Sequence, residues 1–251
     1  MSALPAASRE RLLEQEVRNL SLEVQRLREA LASAKGQPLP GPALASMPRV
    51  GPDPSMAFPC GGSRKLAFLR PLVTRSNIEI GEYTYFTDDE DASRFEERNV
   101  LFQTDDAADR LVIGRYCSIA SGTRFLMNGA NHPDPGTTFP FWAFGRGWHE
   151  RSTPRQRGPI TVGSDVWLGL ESCVLAGTTI GDGAIVGARA VVTKDVPAFA
   201  VVVGNPARVV RMRYDEATIA KLLAIRWWEW PAERVTRNLP ELVAGRWDDL
   251  T

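Results

Sequence analysis

The chain is predicted to be mainly β, a parallel β-helix of hexapeptide repeats with a coiled-coil-like helix before it and a helical tail after it. Three observations predict this. A six-residue period runs from Val162 as VGSDVW LGLESC VLAGTT IGDGAI VGARAV VTKDVP, and earlier as IGRYCS IASGTR from Ile113. Leu13, Val17, Leu20, Val24, Leu27 and Leu31 follow a 4-3-4-3-4 spacing near the start. The hexads stop after Pro206, where apolar spacing becomes helical.

Residues 1–34 hold the heptad helix. Val17, Val24 and Leu31 take the a positions, and Leu13, Leu20 and Leu27 the d positions. Glu23 at g can pair with Arg28 at the following e between parallel helices. A single amphipathic helix docked on the body is the plainer reading, but strict a/d spacing over about three heptads favours a coiled coil. Residues 35–58 are rich in Pro, Gly and small residues and read as a linker.

Residues 59–212 form the repeat domain, with an excursion loop over 128–160. A period of six fits neither an α-helix nor an alternating strand; it fits short strands that each pair one full coil away. The aliphatic opener of each hexad points inward. The fifth residue, small or Val, fills the narrow space beside it: Val166, Ser172, Thr178, Ala184, Ala190 and Val196. Gly at the second place is expected to turn a corner where a Cβ would clash. IGEYTY from Ile80 reads as an isolated copy. Residues 213–251 form the tail. Asp215 is the expected N-cap of a helix carrying Ile219, Leu222, Leu223 and Ile225, and Pro231 ends it. Leu239, Leu242 and Val243 suggest a second short helix. Such a tail would cover the open end of the solenoid.

Composition excludes several functions. Of 251 residues, 43% are apolar, as in globular chains. Lys+Arg and Asp+Glu are equal at 30 each, which gives no long-range pull toward nucleic acid or an anionic membrane. No run of about 18 apolar residues exists to span a bilayer. The first residues lack the apolar core of a secretory signal, so the protein is read as cytoplasmic. Cys60, Cys117 and Cys173 are far apart, with no CxxC or Cys/His cluster for zinc. Cys117 and Cys173 fall at small-residue positions of the repeat and read as buried structural thiols.

Three further stretches are NGANHPDPGTTFPFWAFGRGW, TVGSDVWLGLESCVLAGTTIGDGAIVGARAVVTKDVPAFAVVVGNPARVV and LLAIRWWEWP. Together they resemble the hexapeptide xenobiotic acetyltransferases, the family of the streptogramin and hexapeptide-type chloramphenicol acetyltransferases. The likeness runs from about residue 60 to 240 and leaves out the heptad helix. It implies a left-handed coil, a homotrimer, and clefts between subunits where acetyl-CoA meets a small-molecule acceptor. It also implies that His132 acts as general base on an acceptor hydroxyl, with the acetyl group passed directly.

The residues are compatible with that chemistry. A hydroxyl attacking a thioester needs a proton acceptor near neutral pH, and imidazole suits. No G-x-S-x-G elbow offers a covalent route. A backbone N–H of the coil is the expected oxyanion donor. By the resemblance, Tyr85, Asn131 and Thr104 are candidates for acceptor binding. Trp167, Gly169, Lys194, Asn205 and Arg208 are candidates for the cofactor side, where Lys and Arg suit phosphate. Thr104 marks a departure, because FQTD (Phe102 to Asp105) stands where the streptogramin enzymes carry Tyr-His-Tyr-Pro. The stretch after His132 also differs from the family's usual Arg-Met. The acceptor therefore stays open among antibiotics, sugars and natural products. His149 has no matching role and reads as a surface residue, and Trp227, Trp228 and Trp230 read as helix-packing anchors.

Two alternatives belong to other classes. A γ-type carbonic anhydrase shares the architecture but needs three His ligands, and this chain has two histidines. A non-catalytic trimeric scaffold would use the heptad helix as a docking arm, and the GANH loop argues against it. The body favours three-stranded assembly, whereas Val at a with Leu at d favours two strands. Three is expected because the body holds three N-termini at high effective concentration. A hexamer of two trimers with helices paired in twos is the alternative.

Overall fold

The computed structural model describes residues 51–60, 63–104, 106–130, 136–139, 141–148 and 156–251. The chain divides into two units, Met1–Pro48 and Arg49–Thr251. The heptad helix, the linker before residue 51, Asn131, His132 and His149 lie outside the described residues.

The second unit is a coil of four turns, each laying one short strand on each of three faces. A first strand, β1 (Leu66–Phe68), precedes them. The first turn holds β2 (Ile78–Ile80), β3 (Tyr85–Thr87) and β4 (Val100–Leu101). The second holds β5 (Leu111–Ile113), β6 (Ser118–Ile119) and β7 (Arg124–Leu126). The third holds β8 (Ile160–Val162), β9 (Trp167–Leu168) and β10 (Cys173–Leu175). The fourth holds β11 (Thr179–Ile180), β12 (Ile185–Val186) and β13 (Val191–Val192). Pairing between successive turns is parallel on all three faces. This architecture fits the left-handed β-helix that the resemblance implies. The second face is closed by antiparallel pairs at both ends. β1 pairs with β3, and β14 (Ala200–Val203) pairs with β15 (Arg208–Met212).

The hexad pattern explains the core. Ile113, Val162 and Ile180 stack on the first face, Ile119, Leu168, Val186 and Val202 on the second, and Phe125, Val174 and Val192 on the third. All are buried, as are the six fifth-place residues named above. The polar ones are satisfied. Thr178 Oγ1 donates to the Leu175 carbonyl at 2.7 Å, and the Ser172 hydroxyl lies 3.3 Å from that of Thr123. Cys117 is buried, and burial pushes its thiol up to about 12. Cys173 corrects an expectation. It occupies the sixth place of its hexad, whose side chain alternates outward, and it is only half-buried.

The second-place glycines have a different role from the one expected. A Cβ on Gly114 would lie 2.6 Å from the carbonyl carbon and oxygen of Gly163, and one on Gly181 would lie 2.5 Å from the Ala198 nitrogen. These glycines let one turn rest directly on the next. The corner itself is made at the fourth place, where Tyr83, Tyr116, Asp165, Glu171 and Arg189 adopt φ of 63°, 58°, 56°, 55° and 58°. Gly114→Ala is therefore expected to lose about 1–3 kcal/mol of stability through overpacking. Urea unfolding at fixed protein concentration measures this, and an unchanged midpoint would mean the turns can separate freely.

One insertion widens the first turn. Between β3 and β4 a short helix, α1 (Phe95–Asn99), seats Phe95 against Phe86 (ring centroids 5.2 Å) and Phe125 (6.0 Å). After β15, Asp215 caps α2 (Glu216–Ile225) by accepting the Thr218 N–H at 2.8 Å. α3 (Ala232–Arg237) and α4 (Leu239–Ala244) follow. The tail packs on a corner of the coil, through a small core of Phe199, Leu222 and Trp228 with Tyr116 and Trp227 around it. On the second face the last edge is paired by β15 rather than covered by α2. Trp230 is buried, with the Arg234 guanidinium 3.7 Å from its ring centroid.

Candidate active site

The excursion leaves the coil directly after β7. Asn128 begins it, is buried, and starts a 3-10 turn over Asn128–Ala130. Its amide nitrogen donates to Asp109 Oδ1 at 2.9 Å and to the Gly158 carbonyl at 3.2 Å. Its amide oxygen accepts the Arg157 N–H at 2.8 Å. One side chain thus joins the departing end of the excursion to the returning end. Asp109 has no exposed surface, and its Oδ1 also accepts the Asn128 backbone N–H at 3.0 Å. Its Oδ2 accepts the Thr104 N–H at 2.6 Å and the Thr104 hydroxyl at 3.0 Å.

The stretch holding Thr104 runs beside this turn. The Gly129 N–H donates to the Phe102 carbonyl at 2.8 Å, and a Cβ on Gly129 would fall on that oxygen. The glycine of the GANH stretch is thus required by close approach. Phe102 has φ 58° and a ring 59% exposed beside the turn. Thr104 belongs to the base of the excursion, and its hydroxyl is directed to Asp109.

A second feature lies on the second face. Tyr85, Ser118, Trp167 and Ile185 are successive outward rungs in register. They line a groove of about 400 Å³ whose side is formed by Asp165 and Arg213. Trp167 exposes 53% of its surface there, too much for a core side chain. Arg213 Nη1 donates to Asp165 Oδ2 at 3.1 Å and to the Gly183 carbonyl at 2.7 Å. Burial pushes the Asp165 carboxyl up, against the pull of the Arg213 guanidinium.

Tyr85 and Trp167, predicted separately, are therefore brought together. Gly169 is buried, and its N–H already donates to the Val186 carbonyl at 2.8 Å, so its role here is stacking between turns. Lys194, Asn205 and Arg208 are exposed at the last turn and do not line the groove. The Asn205–Pro206 turn is held against Val191 by hydrogen bonds on either side, from Val191 N–H to the Gly204 carbonyl and from Ala207 N–H to the Val191 carbonyl. Arg208 Nη1 donates to the Ala207 carbonyl at 2.8 Å. Asp109, Asn128, Asp165 and Arg213 escape sequence reasoning. Asn128 and Asp165 carried a signal only as members of the NGANH and TVGSDVW stretches. Among the described residues, no three His, Cys, Asp or Glu side chains are grouped to hold a metal ion, and no helix is long and apolar enough to cross a membrane.

Comparison with known proteins agrees with this architecture. Residues 159–194 match the family model "hexapeptide repeat of succinyl-transferase". The chain is 42% identical over 200 residues to a virginiamycin A acetyltransferase of Staphylococcus aureus, covering 78% of this chain and 90% of that protein. It is 39% identical over 178 residues to a chloramphenicol acetyltransferase of Agrobacterium fabrum, covering 69% and 85%. A solved hexapeptide-repeat acetyltransferase from Vibrio cholerae, complexed with acetyl-coenzyme A, is 28% identical with a TM-score of 0.37, covering 56% of this chain and 62% of that one. On the strength of relatives aligned over most of their own length, the chain belongs to the hexapeptide-repeat xenobiotic acetyltransferases and is an acyltransferase.

Proposed function

We infer that the protein moves an acetyl group from acetyl-CoA to a hydroxyl of a small molecule, with His132 as general base. The observation that carries this reading is the shared groove, where a tyrosine and an exposed indole stand on either side of Ser118. Tyr85 lines the acceptor side, and Trp167 forms a wall near the thioester. Asn131 neighbours the base in sequence and belongs to the acceptor side. Lys194, Asn205 and Arg208 meet the CoA nucleotide, whose phosphates suit the two cations. His132 takes the hydroxyl proton as the acceptor oxygen attacks the thioester carbonyl. The C–S bond then breaks, and the departing thiolate takes that proton back. No acyl-enzyme is formed. The chain assembles as a trimer, with the heptad helices joined in threes.

Free-thiol release from acetyl-CoA, followed against a panel of hydroxylated antibiotics and sugars, tests this. Release that needs an acceptor names the substrate class. Release at the same rate with no acceptor would mean hydrolysis and would remove the transferase reading. Mass measurement with and without residues 1–34 separates a trimer from a hexamer.

A further inference from the structure

We propose that Asp109 and Asn128 are positioning residues, a buried carboxylate–amide clamp that fixes both ends of the excursion and so sets where His132 stands. The proposal rests on the reading of His132 as the base. Four neutral donors converge on the Asp109 carboxylate, two from Asn128 and two from Thr104. Carboxylates are rarely found fully buried, and hydrogen bonds to a charged acceptor are roughly twice as strong as neutral ones. The geometry gives each carboxylate oxygen its own segment. Oδ1 holds the turn that opens the excursion, and Oδ2 holds Thr104 on the stretch beside it. Asn128 then carries the connection across to Arg157 and Gly158, where the chain returns to the coil before β8. The turn is further fixed against Phe102 through Gly129. Repeat packing does not require this arrangement, because none of Thr104, Asp109 and Asn128 is a hexad opener or fifth residue.

A general base misplaced by about 1 Å can lose about a hundredfold in rate. Asp109→Asn places an NH₂ against one pair of donors and breaks one arm of the clamp. In the full chain it is expected to lower kcat about a hundredfold and leave KM for acetyl-CoA within about twofold. Thr104→Val, close to isosteric, removes a single donor and is expected to lower kcat about tenfold. Thr104→Ser should recover most of what Thr104→Val loses. With only two histidines in the chain, imidazole proton NMR reads the site without any turnover. Both histidines lie on the excursion, and the His132 signals, assigned with the help of His149→Ala, should shift or broaden in Asp109→Asn. If Asp109→Asn does not fold, Thr104→Val decides by the same measurements. Wild-type kcat and unmoved His132 signals in the folded variants would overturn the clamp. A rise in acetyl-CoA KM matching the fall in kcat would also overturn it. Full activity in His132→Ala would instead remove the base assignment, and the NMR signals would still decide the clamp.

Discussion

His132→Ala is expected to lower kcat for acetyl transfer about a thousandfold, within the range for removing a general base. An alcohol is a poor nucleophile toward a thioester unless its proton leaves as the bond forms, and imidazole can take that proton near neutral pH. The imidazole must be neutral to accept it. Wild-type kcat should therefore rise with pH through the imidazole titration and then level off, and His132→Ala should lack that rise. Residual turnover in the variant would come from holding both reactants together in the groove. His149→Ala should keep the wild-type rate and profile. Among the described residues, Asp165 is the one carboxylate lining the groove, and Arg213 occupies it as an ion-pair partner. If the pH dependence survives in His132→Ala, Asp165→Asn is the next variant to measure, and the base assignment to His132 is wrong.

The coil was legible because its constraint repeats. An interior one side chain wide demands an aliphatic residue at each first place and a small one at each fifth, and every turn repeats the demand in the sequence. The six-residue period therefore exposed Leu168, Val174 and Ala184 as core together. The corner was misplaced by two residues. Gly draws attention at the second place, whereas the left-handed backbone falls at the fourth, where Gly122, Gly177 and Gly183 alternate with Tyr116 and Glu171, which carry no turn signal, and with Asp165. The site was legible only in part. GANH and Trp167 stood out because a histidine on a Gly-rich loop and a tryptophan within a hexad break the local pattern. Asp109 and Asn128 break no pattern, and their partnership spans 19 residues that no period connects. Arg213 and Asp165 lie 48 residues apart and were invisible for the same reason.

Phe125→Ala is expected to cost about 3–5 kcal/mol of stability. The third and fourth turns of the coil are filled by Ile, Val and Leu, but the first is widened by the insertion that carries α1, which packs on Phe125 of the second. Phe86, Phe95 and Phe125 fill that extra width, each fully or almost fully buried and meeting edge to face. Phe95 comes from α1, which has its own geometry, so the coil cannot collapse onto a missing ring. Removing Phe125 thus leaves a cavity as well as losing the transfer free energy of its side chain. Phe125→Leu keeps most of the volume and is expected to lose less than half as much. Denaturant midpoints compared at one fixed protein concentration check both, since assembly otherwise enters the apparent stability. A loss below about 1 kcal/mol for Phe125→Ala would mean the first turns can close around the gap. The variant bears on catalysis too. Phe125 stands three residues before Asn128, so a shift of β7 displaces the base of the excursion. kcat should fall further in Phe125→Ala than in Phe125→Leu under conditions where both are fully folded. Equal kcat in the two would show that the excursion is held by its clamp alone and is insulated from packing in the coil beneath it.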